Sequence, residues 1–189
     1  MGTQATIPPP SRAADLCKYL ALTEEAKQAL QPEMTPDQFL QILVEKKWFG
    51  DAIQFIAHYL PKRQAVFWAM TCVKQSGMEL TPQGETALKA TEKWIAATNE
   101  ENRQAALNAA NDADTTTAPG ATALAAYYSE GLPSTADPKT NAKAYFMTAK
   151  LAGGAVLMAA ASDREQTLAW LEAFVDKGVE ITRKTHQRT

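Results

Sequence analysis

Two histidines, His58 and His186, and two cysteines, Cys17 and Cys72, are all that this 189-residue chain offers for imidazole or thiol chemistry. A metal site needs several His, Cys or carboxylate ligands at workable spacing, and these four are scattered. His58 and Cys72 fall on consecutive predicted helices, which leaves a Cys–His nucleophilic pair geometrically open. Against that pair, Cys72 lies on the most apolar arc of its helix, where desolvation raises a thiol's pKa and makes it inert. Two carboxylate pairs, Glu24/Glu25 and Glu100/Glu101, have the residue types for general acid–base work. Each sits in the first turn of a predicted helix, where the helix dipole already accounts for it. No phosphate-binding G-x-x-x-x-G-K-[ST], dinucleotide G-x-G-x-x-G or nucleophile-elbow G-x-S-x-G occurs. These residues predict no metal, no cofactor and no catalytic centre.

The stretch HYLPKRQAVFWAM, residues 58–70, carries a different kind of chemistry. Pro61 ends one helix and opens the next, which puts Lys62 and Arg63 in a first turn where cations oppose the dipole. Something must compensate them. Arg63 stands four residues before Phe67, within reach of its ring, and could instead cross to a carboxylate such as Asp51. On a helical projection Ala65, Val66, Ala69, Cys72 and Val73 form one face, and Gln64, Thr71, Lys74 and Gln75 the other. Phe67 and Trp68 fall on the two borders, open to internal packing or to a partner. With Tyr127 and Tyr128 farther along, Arg63, Phe67 and Trp68 are the candidate residues for binding another protein, because buried aromatics and arginines anchor such interfaces.

The elements that carry these residues are all helical. Thr23 is placed to cap TEEAKQAL; Thr35, Pro36 and Gln38 form a capping box before FLQILVEK. The pattern breaks around Lys46 to Gly50 and resumes in DAIQFIAHYL, so apolar that it should be central. Helices follow over about 62–76, from Thr81-Pro82, and from a Thr98/Glu101 capping box through an alanine-rich segment suited to close helix contact. Residues 111–121 and 131–140 are loops by composition, with a short helix between them. Two long helices close the chain, at about 140–161 and at 163–184 behind a Ser162/Glu165 box. Leu168, Leu171, Val175 and Val179 are the expected core stripe of the last, supported by Trp170 and Phe174. Gly153-Gly154 marks a close approach of another backbone. The fold class is therefore all-α: a compact bundle of about eight helices stacked as antiparallel hairpins.

The chain is long enough for one domain, at residues 11–185, between a Pro-rich tail (1–10) and a frayed C-terminus (186–189). A 46% hydrophobic, 21% charged composition is that of a globular protein. The net charge of -2 gives no basic footprint for nucleic acid. The sequence TRKTHQRT reads as a solvated basic helix end before it reads as a site. Unpaired, widely spaced cysteines fit a reducing compartment. The first residues lack a secretory pattern, and the loose myristoylation match of Gly2 and Thr6 is too short to weigh. The longest apolar run, residues 151–161, cannot span a bilayer. A cytoplasmic protein without membrane contact is expected.

Three blocks resemble one family of bacterial proteins of about this length and unassigned function. They are GDAIQFIAHYLPKRQAVFWAM, EKWIAATNEENRQAALNAA and ALAAYYSEGLP, followed by the small-residue helix at 144–161; together they outline residues 40–180. The third departs from the family pattern at Tyr127-Tyr128-Ser129-Glu130, where a tryptophan and more glycine are usual, and the 131–140 loop has fewer prolines. The resemblance implies an accessory or co-chaperone-like role near type VI secretion, with an effector, chaperone or secretion component as partner. A small hydrolase or transferase on a helical scaffold and a self-assembling structural protein, or homo-oligomer, are the alternatives.

Overall fold

The structure, a computed structural model, describes residues 12–129 and 138–186, with 138–145 described in backbone only. It is all-helical, with no strand among the described residues. The elements are α1 (Ala13–Cys17), α2 (Glu24–Ala29), α3 (Pro36–Glu45), α4 (Phe49–Tyr59), α5 (Lys62–Gln75), α6 (Pro82–Ala96), α7 (Glu100–Asp112), α8 (Ala118–Tyr128), α9 (Pro138–Ala160) and α10 (Thr167–His186). Ten helices stand among the described residues where about eight are expected. The first of them, α1, stops at Cys17.

Helix starts follow local side-chain chemistry. Thr35 and Gln38 make the reciprocal capping box, and Thr23, Thr81, Asn99 and Thr117 each accept a backbone N–H with the side-chain oxygen. Asn99, not Thr98, caps α7. Residues 111–121 are a loop only between Ala113 and Thr117. Pro119 and Gly120, which read as turn residues, lie in the first turn of α8. There an amide N–H needs no intrahelical partner, and a Cβ on Gly120 would collide with the Asp114 carbonyl. The Ser162/Glu165 box does not form: the Ser162 hydroxyl donates to the Ala159 carbonyl, closing α9, while Asp163 accepts from the Glu165 and Gln166 amides ahead of α10. Most of the expected 131–140 loop lies outside the described residues.

α9 is the hub, packed against α8, α5, α4 and α10. Gly153 lets it close on α4: a Cβ there would stand 3.3 Å from both Ala57 Cβ and Gln54 Oε1. Its neighbour Gly154 faces open space. Helices α6, α7 and α8 pack as successive hairpins around Ala87, Ala109, Ala110, Ala113 and Ala123, where methyl groups permit close contact. α4 and α5 depart from the hairpin expectation. They touch mainly at the Pro61 junction, and each lies along α9 instead.

α4 is central, as its composition requires, with Phe49, Ala52, Ile53, Phe55, Ile56, Ala57 and Tyr59 buried. The buried face of α10 is Phe174, Val175, Gly178, Ile181 and Thr182: Val175 and the supporting Phe174 are core as expected, and Leu168, Leu171 and Val179 are not. The true face is turned roughly 60° around the helix. Leu168 is left 67% exposed, and Leu171 and Val179 are only half-buried. Gly178 decides this rotation, since a Cβ there would come within 2.8 Å of Ile56 Cγ2 and 3.1 Å of Trp68 Cε2. His186, assigned to a frayed end, is the last residue of α10 and stacks on Tyr59 at 4.3 Å.

Candidate functional site

The candidates from residues 58–70 separate. Trp68 is fully buried, and its indole Nε1 donates to the Phe174 carbonyl at 3.0 Å across the α5–α10 contact. It is a core residue and cannot meet a partner, because the helix projection could not foresee that α10 covers that border. Phe67, on the opposite border, stays 37% exposed. Arg63 is exposed and reaches neither Phe67 nor Asp51. Its guanidinium donates to the Ile95 carbonyl in the last turn of α6, so the negative end of one helix compensates a cation misplaced at the start of another. Lys62 is half-buried, and desolvation lowers its pKa to about 8.

Tyr127 and Tyr128 end α8, half-buried and edge-to-face at 5.1 Å. Arg103, only 4% exposed, fixes them. Its guanidinium lies 4.5 Å from the Tyr127 ring centre, donates to the Tyr127 carbonyl at 3.4 Å, and makes two 2.7 Å bonds to Glu100. The bond from Arg103 holds the Glu100 carboxyl below its ordinary pKa. Sequence reasoning passed over Arg103, although the i, i+3 spacing from Glu100 was its signal. No hydrogen bond or ring contact among the described residues joins the tyrosines to Arg63 or Phe67.

The thiol and imidazole groups do not converge at the surface. Cys72 is fully buried and burial pushes its pKa up; burial also raises Cys17, to about 11. The His58 Nδ1 is hydrogen-bonded to the Gln54 carbonyl one turn back, and desolvation lowers its pKa. Among the described residues no group of three or more His, Cys, Asp or Glu side chains could hold a metal ion.

The displaced stripe of α10 instead opens a cleft of about 480 Å³. Its apolar wall is Trp48, Leu157, Leu168 and Leu171, and its polar end is Lys47, Gly50, Asp51 and Gln54. The sequence reading missed it because Leu168 and Leu171 were placed in the core. The polar end is built by how α3 stops. Lys46 closes the helix, Lys47 takes a left-handed φ of 57°, and the Trp48 amide donates back to the Leu43 carbonyl at 2.9 Å. That position normally holds glycine, and a β-carbon there costs about 1 kcal/mol. Trp48 then caps α4 without a side-chain hydrogen bond. Asp51 is already engaged: the Thr23 amide and hydroxyl donate to its two oxygens at 2.9 and 2.7 Å, tying α2 to α4.

The sequence matches the profile of a family of unknown function, DUF6931, over residues 39–182. The chain belongs to that family. The match covers the cleft's walls from Lys47 to Leu171 and the whole Pro61 junction, and contains all three sequence blocks. No curated protein and no solved structure matches the chain. No helix among the described residues is long and apolar enough to cross a membrane.

Proposed function

We propose that this member of DUF6931 is a non-catalytic adaptor that binds another protein through the cleft between the α3–α4 junction and the start of α10. The observation that carries the reading is Leu168, a large aliphatic side chain 67% exposed at the mouth of a cleft walled by Trp48, Leu157 and Leu171. A half-open apolar wall of this kind gains by burial against a partner, at roughly 25 cal/mol per Å² of apolar surface removed from water. Phe67, with Arg63 anchored beside it on α6, is a second exposed aromatic that an interface could cover. The sequence blocks support a narrower reading: a cytoplasmic accessory or co-chaperone-like factor for loading effectors of a type VI secretion apparatus.

The test is affinity purification of the wild-type chain and of Leu168→Gln from the native host, under conditions that preserve weak complexes, followed by mass spectrometry. A protein recovered with the wild type and depleted about tenfold with the variant is the expected result. Recovery of the wild-type chain alone would overturn the adaptor reading.

A further inference from the structure

The cleft lining has two sources. Most of it, between Lys47 and Gln54 and at Leu157, Leu168 and Leu171, lies within the family-matched residues 39–182, while Ala21 and Thr23 come from the segment ahead of them. We infer that this segment, residues 12–34, is a strap latched over one end of the cleft, and that it opens as a unit to lengthen the groove for a partner. The benefit to a partner rests on the adaptor reading; the opening itself does not.

The segment is held by little apolar burial. Of residues 12–34 only Ala13, Leu22 and Ala26 are buried, whereas α4 buries eight of its eleven residues. Two of those three are alanines, whose single methyl removes little apolar surface from water. Leu16, Leu20, Leu30 and Met34 stay half-buried. Helices α1 and α2 have five and six residues, too few to persist in water without tertiary support. That support is thin: α1 rests on α3 and α4, and the contacts of α2 with other helices are slighter still. Elements with few buried contacts are the ones that open below the cost of global unfolding.

Directional bonds do the fastening instead. The Thr23 amide and hydroxyl both donate to Asp51, at 2.9 and 2.7 Å, and the same hydroxyl accepts from the Ala26 amide to cap α2. One side chain thus joins the latch to the start of α2. The Ala13 amide donates to the Met34 carbonyl at 2.9 Å, which ties the two ends of the segment to each other. A segment closed on itself in this way moves as one piece. Tyr19 stacks on Phe146 of α9 at 4.0 Å and is still 56% exposed.

Hydrogen bonds to a carboxylate are stronger than neutral ones, so the latch holds the closed state. Release is not prohibitive, because Asp51 stands in the first turn of α4, where the helix dipole favours a carboxylate with or without Thr23. Water replaces the two lost donors once the segment lifts. Since Thr23 both covers Asp51 and lines the cleft, lifting it removes part of one cleft wall. It also uncovers the surfaces of α3 and α4 on which α1 rests. A partner that uses the longer groove binds the open state alone, and its apparent affinity scales with the open fraction.

Native-state hydrogen exchange of the full-length chain, followed by NMR at rising sub-denaturing urea, reads the opening. The Ala13, Thr23 and Lys27 amides are each hydrogen-bonded in the closed segment. They should share one urea slope and one protection factor, about a hundredfold below that of the α4 amides. Protection equal to that of α4 would make the segment a fixed part of the fold, and separate, urea-insensitive values would make it locally frayed; either overturns the strap. Thr23→Val removes the hydroxyl half of the latch and should speed exchange about tenfold at Ala13, which lies outside the α2 cap lost with it. Thr23→Ser should restore protection, and Thr81→Val, which deletes a cap of the same kind on α6, should leave Ala13 unchanged. Access to the cleft is then titrated with the apolar fluorophore bis-ANS. The dye should bind up to about tenfold tighter to Thr23→Val, and the gain should vanish when Leu168→Gln is added. Faster exchange in Thr23→Val with unchanged dye affinity would overturn the inference and leave the adaptor reading to its own test. Recovery of the wild-type chain alone from the native host, with exchange and dye results as expected, would overturn the adaptor reading and leave the strap standing.

Discussion

Two apolar surfaces of α10 meet opposite fates within three turns. At Phe174 and Gly178 the helix closes on α4 and α5 until no side chain larger than hydrogen fits, and Trp68 is sealed beneath with its indole satisfied by the Phe174 carbonyl. At Leu168 and Leu171 the same helix faces Trp48 and Leu157 across open space. Both surfaces are rich in bulky hydrophobic residues, so composition does not distinguish them. The difference lies in one missing side chain: Gly178 permits the close approach in the middle of the helix, and no comparable residue brings in its first turns. A sealed seam contributes stability, and an open one leaves apolar surface free for binding.

The comparison can be broken hardest at Trp68. Trp68→Phe keeps a ring in the seam but leaves a void and removes the cross-helix hydrogen bond from the indole to the Phe174 carbonyl, so a loss of about 2–4 kcal/mol is expected in urea unfolding followed by far-ultraviolet circular dichroism. A loss below half of that would mean the seam tolerates repacking and is not the closed surface described above.

Gly178→Ala attacks the same seam from the other helix. The new methyl would press on Ile56 and Trp68, and overpacking of this kind costs about 1–3 kcal/mol. Gly154→Ala is the internal control. It adds a methyl in open space on α9 and should stabilise by about 0.5–1 kcal/mol, because alanine is the better helix former. Equal melting shifts for the two glycines would show that helix propensity, not approach distance, governs these positions.

Much of this architecture is written locally. Thr35 with Gln38, Thr81 with Pro82, and the alanines of α7 each act through neighbours a few residues away, so their helices were legible from the sequence. The centrality of α4 was legible too, since only Asp51, Gln54 and His58 interrupt its apolar surface. What was not legible depends on partners distant in sequence. The border position of Trp68 became core because α10, more than a hundred residues later, supplies a carbonyl to its indole. Arg63 was rightly identified as needing compensation, but the answer was a helix end on α6 and not a carboxylate. Leu168 and Leu171 looked like core because a stripe of aliphatic residues gives the direction of a helix face only to within a turn's width. The glycine that fixes that direction carries no hydrophobic signal at all. The cleft, and with it the candidate site, was therefore hidden in the one α10 position that periodicity does not score.

The smallest expected effect concerns the open side. Leu168→Gln replaces a largely exposed side chain near the start of α10 with another good helix former, so its stability change should stay within about 0.5 kcal/mol. Differential scanning calorimetry of the variant beside Gly178→Ala reads the contrast directly. A loss at Leu168 as large as that at Gly178 would mean that the first turns of α10 are closed in solution. The exposed leucine would then be a core residue, and the cleft would not be available to a partner. A thermally silent Leu168→Gln that still abolishes partner recovery would separate binding from folding on one helix, which is what a surface kept apolar for recognition requires.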